Sequence, residues 1–203
     1  KEDGSWKHRL IWDLLQSMVN AASTQSERII LPRLIDLIND ILDLLTVKQN
    51  DEEVWLFIID IKNAFHLLPL KDSEKQFFCT SVDNMFQLYH VMLFGPKAAP
   101  TAWGRFGALI SRLTQAIVGT KTARLQLYVD DPAMAIVGSK TARSETIMVI
   151  LLWLSVCNIP LSWSKAQYGQ LTTWIGVDIK ITPDEVEATI TPYKLQKAAE
   201  LTV

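Results

Sequence analysis

Three carboxylates stand where an apolar sequence should not hold them. In "LYVDDPAMAIV", residues 127–137, Asp130 and Asp131 sit side by side between apolar runs. Leu127 and Val129, then Ala133, Ala135 and Val137, alternate as two short strands do, with Pro132 in the connection. A third acid, Asp60, ends the near-continuous apolar run 54–59 of "DEEVWLFIIDIKNAF". An unpaired buried carboxylate is costly, and two like charges ~4 Å apart repel by ~4 kcal/mol at an effective dielectric near 20. A fold stable by only ~5–15 kcal/mol does not gather such groups without a counter-charge. Hard carboxylate oxygens favour Mg2+ or Mn2+, and Mg2+ typically takes one or two carboxylates together with substrate phosphates. Two such ions can activate an attacking oxygen and stabilise a leaving one at phosphorus.

The elements that would position these acids follow from hydrophobic periodicity. "ERIILPRLIDLINDILDLL" predicts a helix from about Pro32, with Leu34, Ile38, Ile41 and Leu45 on one stripe and Asp36, Asp40 and Asp43 on a solvated face. A strand ends at Asp60, and "FQLYHVML" (86–93) alternates as another strand. "FGPKAAPTAWGRFGALISRLTQAIV" predicts a turn and a helix. Its buried stripe would be Trp103, Phe106, Ile110, Leu113 and Ile117, with Arg105 and Arg112 accessible. After the strand pair around Asp130 come a helix ending near Cys157 and a last strand, "TTWIGVDIKI". The middle of the chain therefore reads strand, helix, strand, strand, helix, strand. That order predicts an α+β fold, the ferredoxin-like split βαβ antiparallel sheet, with the three acids converging at one sheet edge.

Composition bounds the alternatives. At 203 residues, with 49% hydrophobic and 21% charged residues, the chain suits one globular domain or a tight pair of subdomains. A net charge of −2 leaves nucleic acid to a local basic patch. Cys79 and Cys157 show neither metal spacing nor a disulfide framework, which points to a reducing, intracellular compartment, cytoplasmic or nuclear. His8, His66 and His90 are isolated and carry no assignment. Residues 146–164 are uncharged and include "IMVILLWLSVC". That strongly apolar part is about 11 residues against the ~20 a spanning helix needs, and Asn158 and Pro160 break it, so a buried helix and no membrane partner are expected. The start on Lys1, without an initiator methionine or a signal-like stretch, reads as a piece of something longer.

Over essentially its whole length the chain resembles the reverse transcriptases of retroelements, retrotransposons and retroviruses. "LFIIDIKNAFHLLPL" is similar to their motif A, "MLFGPKAAPTAWGRF" to motif B and "YVDD" to motif C. "SWSKAQYG" resembles the lysine-bearing motif D, "TTWIGVDI" the primer grip of motif E, and "GSWKHRLIWDLLQSMVN" the basic fingers segment. The resemblance implies a polymerase palm at residues 54–182, part of the fingers at 1–53 and the start of the thumb or connection at 183–203. It implies RNA-directed DNA polymerisation with two Mg2+ (or Mn2+) ions, an RNA or DNA template with primer, dNTPs, and other domains of a parent polyprotein.

Roles follow position by position from that resemblance. Asp60 and Asp130 would be the principal metal ligands, with the backbone carbonyl of Ile61 helping and Asp131 the supporting acid. Phe65 would be the steric gate against a ribose 2′-hydroxyl, and Lys7 and Arg9 would reach the triphosphate. Gly95, Lys97 and the start of the following helix would contact the nascent base pair and template. Lys165 would sit near the leaving pyrophosphate as a proton donor, and Trp174 and Gly176 would support the primer 3′ end. The chain departs from the family pattern at Leu15, where many relatives carry arginine, at Pro96 and at Pro132. Those departures keep open a degenerate, nucleic-acid-binding domain without activity. An RNA-directed RNA polymerase shares the palm, but Phe65 and "YVDD" argue against it.

Overall fold

The computed structural model describes residues 11, 13–14, 18–24 and 27–200; Lys7, Arg9 and Leu15 lie outside them. The chain divides into two compact units, each assembled from two segments. Unit 1 comprises residues 1–29 and 63–105, and unit 2 residues 30–62 and 106–203.

Within unit 1 the described elements are short: α1 (Val19–Ala22), a 3-10 turn (Ala64–Leu67), α3 (Asp72–Lys75) and a hairpin of β2 (Cys79–Val82) and β3 (Met85–Leu88). α1 is numbered before α2 (Leu34–Val47) of unit 2. The alternation in 86–93 yields a strand that stops at Leu88. Beyond it the chain rejoins residues 68–70 through Leu70 N–H to His90 O and Met92 N–H to Leu68 O. Leu70, Phe78 and Leu93 form the small core beneath.

Unit 2 is built on a four-stranded antiparallel sheet. β1 (Glu53–Ile61), β4 (Ala123–Tyr128), β5 (Asp131–Gly138) and β6 (Leu161–Gly169) lie in the order β4-β5-β1-β6. β1 and β5 occupy the centre, paired along both edges. Both faces of each are also largely buried, which is why successive residues along them are apolar. Alternation still sorts their side chains by face. Val54, Leu56 and Ile58 of β1 and Ala133, Ala135 and Val137 of β5 pack against Leu37, Ile41 and Leu44 of α2. The same cluster takes in Trp174, Ile179 and Ile181 from a second sheet of β7 (Leu171–Trp174), β8 (Val177–Ile181) and β9 (Val186–Ile190). α4 (Ala99–Val118) and α5 (Lys140–Val156) make the long connections, and α6 (Pro192–Glu200) follows β9.

Several expectations are corrected by the packing. α2 buries Leu37, Ile41 and Leu44, a stripe shifted from Ile38 toward Leu37, against the sheet. Of its acids, Asp43 is exposed and Asp36 pairs with Arg33 at the surface, but Asp40 is half-buried, accepts a hydrogen bond from Gln126 (2.6 Å) and pairs with Arg124 (3.6 Å). α4 buries Trp103, Gly107 and Thr114, whereas Leu113 and Ile117 are 40% and 47% exposed. The stripe is rotated because Thr114 turns inward, returning its hydroxyl to Ile110 O and accepting the Trp153 indole N–H. Arg105 and Arg112 are accessible as expected, and Arg105 pairs with Glu27. α5 is half-buried: Ile150 and Leu154 face inward while Met148, Leu152 and Val156 are exposed. No helix among the described residues is long and apolar enough to cross a membrane. "TTWIGVDIKI" is two strands joined by a turn at Ile175–Gly176, "SWSKAQYG" lies in a strand, and Pro132 is the second residue of β5. It pairs with Leu127 of β4.

At the other end of the sheet Arg143 of α5, 2% exposed, fastens the strands. It donates to Gly138 O and Glu53 O, pairs with Glu53 (2.9 Å) and lies over the Trp55 ring (4.6 Å to the centroid). Removing the guanidinium leaves those buried carbonyls without a donor. Arg143→Met should therefore lose about 2–4 kcal/mol of unfolding free energy. Glu53→Gln, at the half-exposed partner, should lose under about 1 kcal/mol. Urea denaturation of both variants checks this.

Candidate active site

The acids are brought together by strand register. β1 and β5 run antiparallel with Ile58 opposite Ala133, and continuing that register sets Asp60 opposite Asp131. The pairing does continue: the Ile61 N–H donates to Asp130 O at 2.7 Å. Asp130 itself occupies the two-residue turn of the β4–β5 hairpin, closed by the Tyr128–Asp131 pair. Val129, the first turn residue, has φ 54°, while Asp130 keeps a negative φ. Those signs belong to a type II′ turn, which prefers glycine at its first central position. A β-branched valine there is strained, and such strain clusters at functional sites.

Asp60 is 9% exposed. Pairing of β1 with β6 breaks between Ile58, opposite Gln167, and Asp60, opposite Ser162. The surplus residues, 163–166, bulge from β6, and a bulge of this kind re-aims side chains. Lys165 rides on it and places its Nζ 2.5 Å from Asp60 Oδ1. Burial pushes the Asp60 carboxyl up, but the hydrogen bonds from Lys165 and Ser162 and the Lys165 charge outweigh it, so Asp60 is held below the usual carboxylate range. Asp131 goes the other way. Burial, the Asp130 charge and the Asp60 charge push it up to about 6, and it shares a hydrogen bond with Asp60. One end of the sheet therefore carries three acids and one ammonium.

The other expected residues divide between the units. Trp174 is 1% exposed, so its indole faces the core; its N–H donates to Asp131 O at 3.0 Å and its ring stands edge-on to Tyr128 at 6.3 Å. It supports the acid hairpin from beneath. Gly176 (φ 77°) follows Ile175 (φ 44°) in a turn whose carbonyl at Ile175 accepts from Lys194 Nζ (2.6 Å). A Cβ at Gly176 would collide with the Lys194 side chain. Phe65, Gly95 and Lys97 belong to unit 1. Phe65 is half-buried and stands edge-on to Phe94, with ring centroids 4.9 Å apart. Gly95 has φ 121°, a conformation that favours glycine.

Sequence reasoning missed two supports. Gln167 pins β6 to β7 by donating to Thr173 O (2.9 Å) and accepting the Thr173 N–H (2.8 Å). Asn20 brackets the Gly95–Lys97 turn, donating to Gly95 O (3.1 Å) and accepting the Lys97 N–H (2.8 Å). Both amides lie inside the quoted segments "GSWKHRLIWDLLQSMVN" and "SWSKAQYG", but nothing in their spacing gives the partner, which for Asn20 is 75 to 77 residues away.

The oxygens are of the type that divalent Mg2+ or Mn2+ takes. Among the described residues, however, no group of three or more carboxylate, histidine or cysteine side chains is arranged to hold a metal ion. Asp60 Oδ1 accepts a hydrogen bond from the ammonium of Lys165.

The family described as reverse transcriptase (RNA-dependent DNA polymerase) matches residues 3–179 of the chain. The fold is similar to a foamy viral protease-reverse transcriptase in complex with an RNA/DNA hybrid, with a TM-score of 0.55 at 16% identity over 80% of this chain and 20% of that one. It is also similar to the foamy viral protease-reverse transcriptase dRH in complex with double-stranded DNA, with a TM-score of 0.56 at 15% identity over 78% and 26% of the two chains. At such identity the likeness is one of fold, and this chain spans about a fifth to a quarter of those chains. No curated protein sequence matches it.

Asp131 yields a pH signature. Its folded pKa of about 6 exceeds the ordinary 3.8, so the folded state holds the extra proton between those values. Its contribution to stability is complete below about pH 4 and lost as pH rises through about 6. Asp131→Asn should raise the melting temperature at pH 7.5, and that gain should shrink toward zero by pH 4. Thermal melts of both proteins across pH 4–8 check the sign.

Proposed function

Because the chain belongs to the reverse transcriptase family, we propose that it carries the polymerising centre of a retroelement RNA-directed DNA polymerase. The observation that carries this reading is the β1–β5 register, which sets Asp60 opposite Asp131 and ties Ile61 to Asp130. The strand order β4-β5-β1-β6, connected through α4 and α5, supports a ferredoxin-like palm. We assign residues 54–182 to that palm, residues before them to part of the fingers, and residues 183–203 to the start of the thumb or connection. The template–primer partner rests on likeness to proteins solved with an RNA/DNA hybrid and with double-stranded DNA.

Asp60, Asp130, Asp131 and the Ile61 carbonyl would hold two divalent ions. Bound there, such ions neutralise charge on the phosphate oxygens and orient the attacking hydroxyl. The chain's own residues do the rest by position. Asp60, held ionised by Lys165 and Ser162, stays ready as a ligand at neutral pH. Lys165 would leave Asp60 for the pyrophosphate end of the nucleotide, to which it can give a proton. Trp174 would keep the acid hairpin in register from below, leaving the Gly176 turn to meet the primer end. Lys7 and Arg9 would balance the triphosphate. Phe65 would exclude the ribose hydroxyl, and Gly95 and Lys97 would face the base pair and template.

A second reading, a nucleic-acid-binding domain without polymerase activity, is favoured by the Lys165–Asp60 pair and the unformed three-ligand group. Primer extension with the full-length protein separates the two. Phe65→Val should raise ribonucleotide use toward the ~10²-fold limit that an apolar wall can enforce, while dNTP addition continues. Asp130→Asn should abolish both, a loss above ~10³-fold. If Phe65→Val leaves the ribose preference unchanged, Phe65 belongs to the aromatic cluster alone. Absence of extension by the wild type would favour the binding domain.

A further inference from the structure

Unit 1 holds a turn, Gly95–Lys97, that is bonded on both sides of its proline by a side chain from far along the chain. Gly95 takes φ 121°, and Pro96, which has no N–H, follows it. Proline also locks the backbone at that position, so Gly95 O and Lys97 N–H are left to find partners elsewhere. Both find one side chain. Asn20 Nδ2 donates to Gly95 O at 3.1 Å, and Lys97 N–H donates to Asn20 Oδ1 at 2.8 Å. A carboxamide is suited to this because it offers a donor and an acceptor from one planar group. The bonds join positions 75 and 77 residues apart. Asn20 is itself anchored, its backbone N–H donating to Leu14 O at 3.1 Å. On the far side of the turn, Ala99 N–H returns to Pro96 O at 3.1 Å as α4 begins.

We infer that Asn20 is a positioning residue for nucleotide binding: it sets the Gly95–Lys97 turn so that its backbone and Lys97 meet the incoming nucleotide and template. The inference rests on the polymerase reading for what the turn faces, and on the two hydrogen bonds for what holds it. Asn20 touches no reacting atom. The same geometry explains how the chain accommodates Pro96, where its resemblance to the family leads one to expect a more ordinary residue. The amide holds the carbonyl before the proline and the N–H after it.

The test uses the full-length protein with a chain-terminated template–primer, so that dNTP affinity is read without turnover. Amide hydrogen exchange at Lys97 is followed in the same samples. Asn20→Leu keeps the shape and removes both bonds. It should weaken binding of the correct dNTP about three- to tenfold and speed exchange of the Lys97 amide. Asn20→Gln, which keeps donor and acceptor on a longer arm, should recover part of both. Unchanged Lys97 exchange in Asn20→Leu would overturn the inference whatever the activity of the wild type. Faster exchange with unaltered dNTP affinity would overturn it too, leaving Asn20 a purely structural brace. A wild type that binds template–primer but no dNTP defeats the polymerase reading, and the inference with it. That failure is recognisable because it appears before any substitution is made.

Discussion

Antiparallel pairing of β1 with β5 opposes Asp60 and Asp131, and the rest of the acid site is organised around tolerating that arrangement. Both strands are central, so neither acid can swing away on a free edge. Two carboxylates held in register cannot both be comfortable, and their environments separate them. Asp60 is held ionised by hydrogen bonds and the Lys165 charge, while Asp131 is driven toward its protonated form by burial and by its neighbours' charges. This is a common physical pattern: paired titratable groups pushed apart by their surroundings take different roles.

The neighbouring elements make sense in the same terms. The β6 bulge delivers an ammonium to Asp60. The Trp174 indole fixes the Asp131 carbonyl and packs against Tyr128, so both flanks of the acid hairpin rest on one buried ring. At the opposite end, Arg143 gathers Gly138, Trp55 and the single acid Glu53 and closes the sheet there. The strained Val129 turn is held between these supports.

Much of this was legible beforehand. A near-continuous apolar run marked β1 and alternation marked β5, and antiparallel pairing of a strand-terminal acid with a hairpin pair was implied by element order. Helix faces were less legible. On α4 the pattern 103, 106, 110, 113, 117 is a sound apolar stripe, yet Thr114 is buried and Leu113 is not. The deciding factor is a hydrogen bond from Trp153, which rewards an inward hydroxyl and which no periodicity reports. Trp174 is similar: motif position suggests a surface role, while its buried N–H acts on the backbone beside the acids.

The sequence by itself determined that β1 and the β4–β5 pair form, where their acids lie along them and which family the chain resembles, because those depend on local composition and motif order. Tertiary structure decided what surrounds each charge. Lys165 meets Asp60, Asn20 meets Gly95 and Lys97, and Gln126 meets Asp40 across separations of 105, 75 to 77 and 86 residues. Such partners are chosen by register, bulge and packing, whose geometry exists after the chain has closed on itself.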